Sequence, residues 1–315
     1  MAISRSYPPI CYAVIDMVPG DSHVASLLGM TGLLIIFTAQ NTNLQKHVEE
    51  APMRKCYPGG RSKAINITYD DGVLQDVPFV AMLNRYGLKG TFNLNSQLMA
   101  EEFAWTHANG MQVRRLDPAT AQRLYDGHEV ASHTLTHPYM KDLPTEEILR
   151  QMREDKRALE RLFGREVRGF AVPFDYFDDR IAGCAQQVGF AYARTSDLSF
   201  HYQPCGEYYG WKAGIYHILP ELSSYVDGFF NTRKELAVCQ IVGHSYDLDA
   251  ENLWDTMEAV CCRVSEDGDI WPCTHWELVR YLRAMDAFDG VNRSDQTLWF
   301  AQDGVRFALH PGESL

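Results

Sequence analysis

From residue 64 to residue 288 the hydrophobic positions alternate between two rhythms. Ala64–Tyr69 (AINITY) is a continuous apolar, β-branched run and predicts a buried strand. Val73–Tyr86 follows with Val77, Val80, Ala81 and Leu83 at helical spacing, and Gly87 stops it. The same pair of patterns then recurs. Thr91–Leu94, Glu129–Ser132, Gly169–Val172, Ala191–Arg194 and Cys239–Val242 predict strands. Pro118–Tyr125, Thr145–Phe163, Asp178–Val188, Glu251–Val264 and Trp276–Phe288 predict helices. In Thr145–Phe163 the acids Glu146 and Glu147 suit the positive end of a helix, and Gly164 suits its C-terminal cap. Strands alternating with helices predict βαβ units around a parallel sheet. Thr297–Ala301 and Val305–Leu309, joined by Gln302-Asp303-Gly304, predict a terminal β-hairpin.

Residues 1–50 do not share this rhythm, and the cluster Tyr57-Pro58-Gly59-Gly60 marks the change. The expected organisation is an N-terminal extension (1–50), an α/β domain (51–290) and a C-terminal hairpin (291–315). Val24–Ala39 carries no charge over 16 residues. That is short for a membrane span, which needs ~18 or more apolar residues. Asp16 and Asp21 stand before it instead of a Lys/Arg cluster, and Phe37-Thr38-Ala39 is a poor cleavage site. We read the extension as packed or poorly ordered and the protein as cytoplasmic. A membrane anchor or export signal at 24–39 is the alternative, so membrane association stays open.

The net charge of −12 and the lack of a basic stripe exclude sequence-independent binding to phosphate backbones, so no nucleic-acid partner is expected. Hydrophobic residues at 46% and charged residues at 22% are ordinary for a globular chain. None of the eight cysteines forms a C-x-x-C pair, and several lie in apolar runs, which fits buried free thiols.

The polar residues that interrupt the strand ends carry the chemistry. Asp70-Asp71-Gly72 ends the first strand, and His133-Thr134-Leu135-Thr136-His137 follows the third. Alone, Asp-Asp-Gly is most often a turn, and H-x-x-x-H is a frequent accident. Together, Asp71, His133 and His137 offer one oxygen and two nitrogen ligands with coordination positions left open. That is the donor set of a catalytic divalent-metal site, with zinc the first choice and cobalt, nickel or manganese acceptable. Such an ion polarises a carbonyl and acidifies its bound water, and Asp70 stands beside it to accept the water's proton.

Thr68-Tyr69-Asp70-Asp71-Gly72 and His133-Thr134-Leu135-Thr136-His137-Pro138 resemble the T-[FY]-D-D-G and H-[ST]-x-x-H-P motifs of polysaccharide deacetylases with a NodB homology domain, carbohydrate esterase family 4. The element order is similar from about Tyr57 to Phe288. The resemblance implies a distorted (β/α) barrel that hydrolyses acetyl groups from an N-acetylated sugar or polysaccharide. It implies Asp70 as general base and Asp71, His133 and His137 as metal ligands. His244, after the strand Cys239–Val242, is implied as general acid. The family's R-x-P-[FY] motif departs here: Pro173 and Phe174 match, but Ala171 takes the arginine position. Phe174 is expected to supply its backbone N–H to the oxyanion, a role that needs no side chain. Asp175 is a candidate for substrate contact or for pairing with His244. Arg194, on the next strand, is a candidate to replace the missing cation.

His217, Trp211 and Tyr216 are candidates for lining a sugar cleft, although such residues are more often core. His128 reads as structural. Two alternatives to the deacetylase remain: a degenerate barrel that binds carbohydrate without hydrolysis, and a hydrolase of another non-peptide C–N bond. Oligomeric state is not legible.

Overall fold

A computed structural model describes residues 56–289 and, of the flanks, the strand residues 10–16, 53–54, 299–300 and 305–310; side chains are described for residues 56–286. Residues 24–39, on which the anchor alternative rests, lie outside the described residues. Among the described residues no helix is long and apolar enough to cross a membrane.

The chain forms two compact units, Lys63–Arg280 and a second built from Met1–Ser62 with Tyr281–Leu315. In the second unit Ile10–Asp16 pairs antiparallel with Val305–His310 and parallel with Met53–Arg54. Trp299–Phe300 pairs antiparallel with Val305–His310, at the place where the hairpin was expected.

The main sheet of the first unit has nine strands: β1 (Lys63–Asp70), β2 (Gly90–Leu94), β3 (Glu129–Ser132), β4 (Gly169–Ala171), β5 (Tyr192–Leu198), β6 (Tyr209–Ala213), β7 (Ile215–Tyr216), β8 (Ala237–Gly243) and β9 (Ile270–Pro272). The first eight run in the order β6-β5-β4-β3-β2-β1-β8-β7, and β9 pairs with the start of β1. Every pairing within this sheet is parallel. The outermost strands, β6 and β7, are separated in sequence only by Gly214. The sheet therefore curls into a nearly closed parallel barrel, as the strand–helix rhythm and the motifs had implied. A side chain at Gly214 is impossible: its Cβ would lie 2.2 Å from the Tyr225 hydroxyl and 2.5 Å from the Gln240 carbonyl.

The helices are α1 (Asp76–Arg85), α2 (Pro118–Leu124), α3 (Thr145–Phe163), α4 (Asp179–Val188), α5 (Leu222–Asn231), α6 (Ser245–Ala250), α7 (Trp254–Glu266) and α8 (His275–Asp289). All eight residues of β1 are buried, as expected of a parallel strand covered on both faces. α3 buries Ile148, Met152 and Leu159 on one stripe, each worth roughly 1.5–3 kcal/mol by transfer. Gly164 ends it in the left-handed region at φ 64°. Gln151 and Asp155 lie in the same buried stripe. Two polar residues there conflict with core packing unless something polar faces them, and the site supplies it.

Cys184, Cys239, Cys261 and Cys273 are buried free thiols. Burial pushes the Cys261 thiol up to about 12, so it is inert at neutral pH.

Candidate active site

Asp70 is the last residue of β1, His133 follows β3, Phe174 lies three residues beyond β4, Arg194 is in β5 and His244 follows β8. All converge on the C-terminal rim of the barrel, where parallel strands deliver their side chains to one cleft.

Asp71, His133 and His137 present ligand atoms that all lie within 4.8 Å of one another. His133 Nδ1 is 2.8 Å from the Ala171 carbonyl. A carbonyl only accepts, so Nδ1 carries the proton and Nε2 is left free as a donor to an ion. Burial lowers the His133 imidazole to about 4 and lowers His137 as well, so both are neutral and able to ligate. Burial pushes the Asp71 carboxyl up, but the Arg115 guanidinium and nearby histidines outweigh it and hold it at about 2. The three residues fit a divalent ion in charge, donor type and spacing.

The backbone here is bent against its preferences. Asp71, Thr134, His137 and Phe174 have φ of 84°, 69°, 53° and 58°. Each such residue costs on the order of 1 kcal/mol or more and persists only where its surroundings hold it. α3 holds the histidine loop. Asp155 accepts from the Ser96 N–H at 2.7 Å and the Ser132 hydroxyl at 2.5 Å, and Gln151 accepts from the Thr136 N–H at 3.0 Å. That is the polar partner the two buried α3 residues require. Gly72, at φ 64°, has no room for a Cβ, which would lie 2.8 Å from Leu94 Cδ2.

Asp70 is 9% exposed. Arg194 Nη2 lies 2.5 Å from its Oδ1 and 2.7 Å from its Oδ2, and the Asn93 amide donates to Oδ1 at 2.7 Å. Burial raises this carboxyl, but Arg194, followed by His133 and His244, outweighs it and keeps the group below the usual carboxylate range. In the ladder Arg194 stands directly opposite Ala171. The cation missing from the motif is thus supplied from the same rung, one strand over.

His244 Nδ1 is 3.0 Å from Asp247 Oδ2 and 2.8 Å from the Tyr216 hydroxyl, while its Nε2 lies 3.8 Å from Asp71 Oδ2. Burial opposes its charge, but the Asp247 hydrogen bond and the Asp71 and Asp70 carboxylates outweigh it and raise the imidazole to about 9. The partner of His244 is therefore Asp247, three residues on; Asp175 is exposed. The sequence signal for this pair is His-x-x-Asp at the start of a helix, His244 to Asp247.

His217 is 1% exposed and lies behind this pair. Its Nδ1 bonds the Tyr69 hydroxyl, and its Nε2 is 3.4 Å from Asp247 Oδ2. It backs the carboxylate and does not line a cleft. Trp211, 2% exposed, donates to Gln240 at 2.9 Å and belongs to the core. His128 is buried at the opposite end of β3, where Nδ1 accepts from the Gly90 N–H at 3.0 Å, a structural role as expected. Phe174 is 53% exposed beside His137, with ring centroids 4.6 Å apart.

The polysaccharide deacetylase family model matches residues 42–193, which include Asp70, Asp71, His133, His137 and Phe174. A glycosyl hydrolase family 57 model matches residues 126–285, which exclude the aspartate pair. A chitin deacetylase from Colletotrichum lindemuthianum is 29% identical over 140 residues, covering 44% of this chain and 50% of that protein. A peptidoglycan-N-acetylglucosamine deacetylase from Bacillus cereus is 26% identical over 144 residues, covering 45% and 59%. A chitooligosaccharide deacetylase from Azorhizobium caulinodans is 32% identical over 129 residues, covering 40% and 55%. The chain therefore spans between half and three-fifths of the length of these relatives. A putative polysaccharide deacetylase from Mycobacterium smegmatis shares the fold, with a TM-score of 0.51 at 14% identity over 73% of this chain and 93% of that one. The family match over residues 42–193, the barrel and the motif residues agree, and together they support a polysaccharide deacetylase domain of the NodB type of carbohydrate esterase family 4 in this chain.

Proposed function

We propose that the protein removes acetyl groups from an N-acetylated sugar polymer, using a divalent ion, zinc by preference, held by Asp71, His133 and His137. The observation that carries this reading is the buried Asp70–Arg194 pair beside that ligand triad. A bound ion there supplies Lewis-acid polarisation of the acetyl carbonyl and acidification of a water.

The protein's own groups account for the proton movements. Asp70, ionised at neutral pH, accepts the proton of the attacking water, and Arg194 and Asn93 fix the direction of its oxygens. The Phe174 N–H donates to the oxygen that becomes negative as the carbonyl carbon turns tetrahedral. His244, kept protonated by Asp247, delivers a proton to the sugar nitrogen as the C–N bond breaks. Acetate and a free amine result.

A barrel that only binds carbohydrate had its support in the missing motif arginine, and Arg194 at Asp70 removes that support. The test combines metal content with acetate release from a panel of N-acetylated oligosaccharides, comparing the wild type with Asp70→Asn. Acetate from the wild type, lost in a variant that retains its metal, is the expected result. Bound metal with no acetate from any saccharide would redirect the reading to another C–N bond.

A further inference from the structure

The segment between β2 and α2 is latched onto the loop that carries Asp71. The Leu74 N–H donates to the Arg114 carbonyl and the Leu116 N–H to the Gly72 carbonyl, both at 2.9 Å, and Val73 and Arg115 form an antiparallel bridge. Arg115 therefore starts beside the Asp-Asp-Gly turn. Its Nη1 donates to the Asp71 backbone carbonyl, to Asp71 Oδ1 at 3.1 Å and to Asn95 Oδ1 at 3.1 Å. Asn95 in turn donates to the carbonyls of His133 at 2.5 Å and Thr134 at 2.9 Å. Two side chains thus tie the aspartate ligand to the histidine loop. The Arg115 side chain is 8% exposed, so its contacts are shielded from solvent.

The same guanidinium has a second neighbour. Arg115 Cζ lies 4.7 Å from the centroid of the Trp105 ring. Trp105 meets Tyr246 edge-on at 5.4 Å, and Tyr246 stacks on His244 at 4.8 Å. His244 is the group that protonates the leaving amine, and that amine is carried by the sugar. The sugar therefore stands on the His244 side of the ligand carboxylate, where the half-buried Trp105 ring is found. An aromatic face offers a pyranose ring a large, rigid apolar surface.

We propose that Arg115 is a positioning residue that holds Asp71 in ligating geometry, and that Trp105, resting on Arg115, is a platform for a sugar ring of the substrate. The Trp105 half of this rests on the deacetylase reading of the site. Asp71 at φ 84° needs restraint, and one guanidinium on both its carbonyl and its carboxylate provides it. Lysine keeps the charge but not the planar fork.

The test uses the full chain as Arg115→Ala, Arg115→Lys and Trp105→Ala. Zinc affinity is measured by competition with a chromophoric chelator, and acetate release is measured on N-acetylated chitooligosaccharides of increasing length. Arg115→Ala is expected to weaken zinc binding about 10–100-fold, with Arg115→Lys in between. Trp105→Ala is expected to leave zinc affinity within about twofold and to raise KM for the longer oligomers about fivefold or more, with kcat little changed. A role in packing alone would lower the melting temperature of the metal-free Arg115 variants and leave their zinc affinity unchanged, which overturns the positioning role. An unchanged KM in Trp105→Ala overturns the platform. If the wild type releases acetate from none of the oligomers, the deacetylase reading and the platform fall together, while the zinc titration still decides Arg115.

Discussion

Arg194 reaches Asp70 across the barrel mouth and contacts both of its oxygens, from a ladder position directly opposite Ala171. The pair is buried on both sides, at 4% and 12% side-chain exposure. Removing one partner of such a pair leaves an uncompensated charge, at a cost of about 3–5 kcal/mol. Arg194→Ala is therefore expected to lower stability by that order and kcat by about 10²-fold, measured by denaturant unfolding and acetate release. Ala171→Arg in the Arg194→Ala background is expected to recover part of the turnover. In the wild-type background it overpacks a site that already has its cation and is expected to cost about 1–3 kcal/mol with no gain in activity.

The three ligand residues should behave as a unit distinct from the base. Asp71→Ala and His133→Ala are each expected to lose stoichiometric metal and activity together, whereas Asp70→Asn keeps the metal and loses turnover. Elemental analysis of the purified variants separates the two. Stoichiometric metal in both ligand variants would remove the site assignment.

Asp247 holds His244 by its Nδ1 and so turns Nε2 towards the cleft. Asp247→Asn is expected to retain metal and lower kcat by about 10-fold or more, as an acid that is neither charged nor oriented delivers its proton poorly. A kcat equal to wild type would clear Asp247 of this role.

Glu129 contributes a pH dependence to stability that can be isolated. It begins β3, accepts from the Trp276 N–H and the Tyr192 and Thr91 hydroxyls, and burial raises its carboxyl to about 7. The folded state thus holds a proton that the unfolded chain has released. The stabilisation is complete below the unfolded value near 4.5 and is lost as the pH rises towards 7. Between those limits the wild type is expected to lose on the order of 3 kcal/mol relative to Glu129→Gln. Denaturant unfolding of both proteins at several pH values measures the difference in slope, and parallel profiles would refute it.

Much of the barrel is legible because its strands are apolar runs closed by punctuating residues. Ala64–Tyr69 and Cys239–Val242 extend by only a residue or two in the structure. The strands β6 and β7 and the helix α5 were not read from the sequence. β6 pairs irregularly, with register shifts at Trp211, and β7 has two residues, too few for a period. α5 contains Gly228 and a Ser-Ser pair, which local propensity counts against a helix. The candidate metal triad is legible because spacing alone brings two histidines to one loop. Arg115 is not, since 44 residues separate it from Asp71 and nothing in Met111–Leu116 is periodic. Arg194 is legible only as a strand-end cation; its partner at Asp70 is 124 residues away.

The junction at Gly214 bears on how the protein behaves in a crowded solution. An open parallel sheet leaves two rows of unpaired backbone groups, and such rows recruit strands from other molecules unless charge, proline or a covering element blocks them. Here the two outer strands are successive pieces of one run of chain, β6 and β7, joined by a single residue. A foreign strand entering at that seam would have to part residues that are covalently linked. The barrel wall therefore closes on itself without offering a long free edge as a template for aggregation.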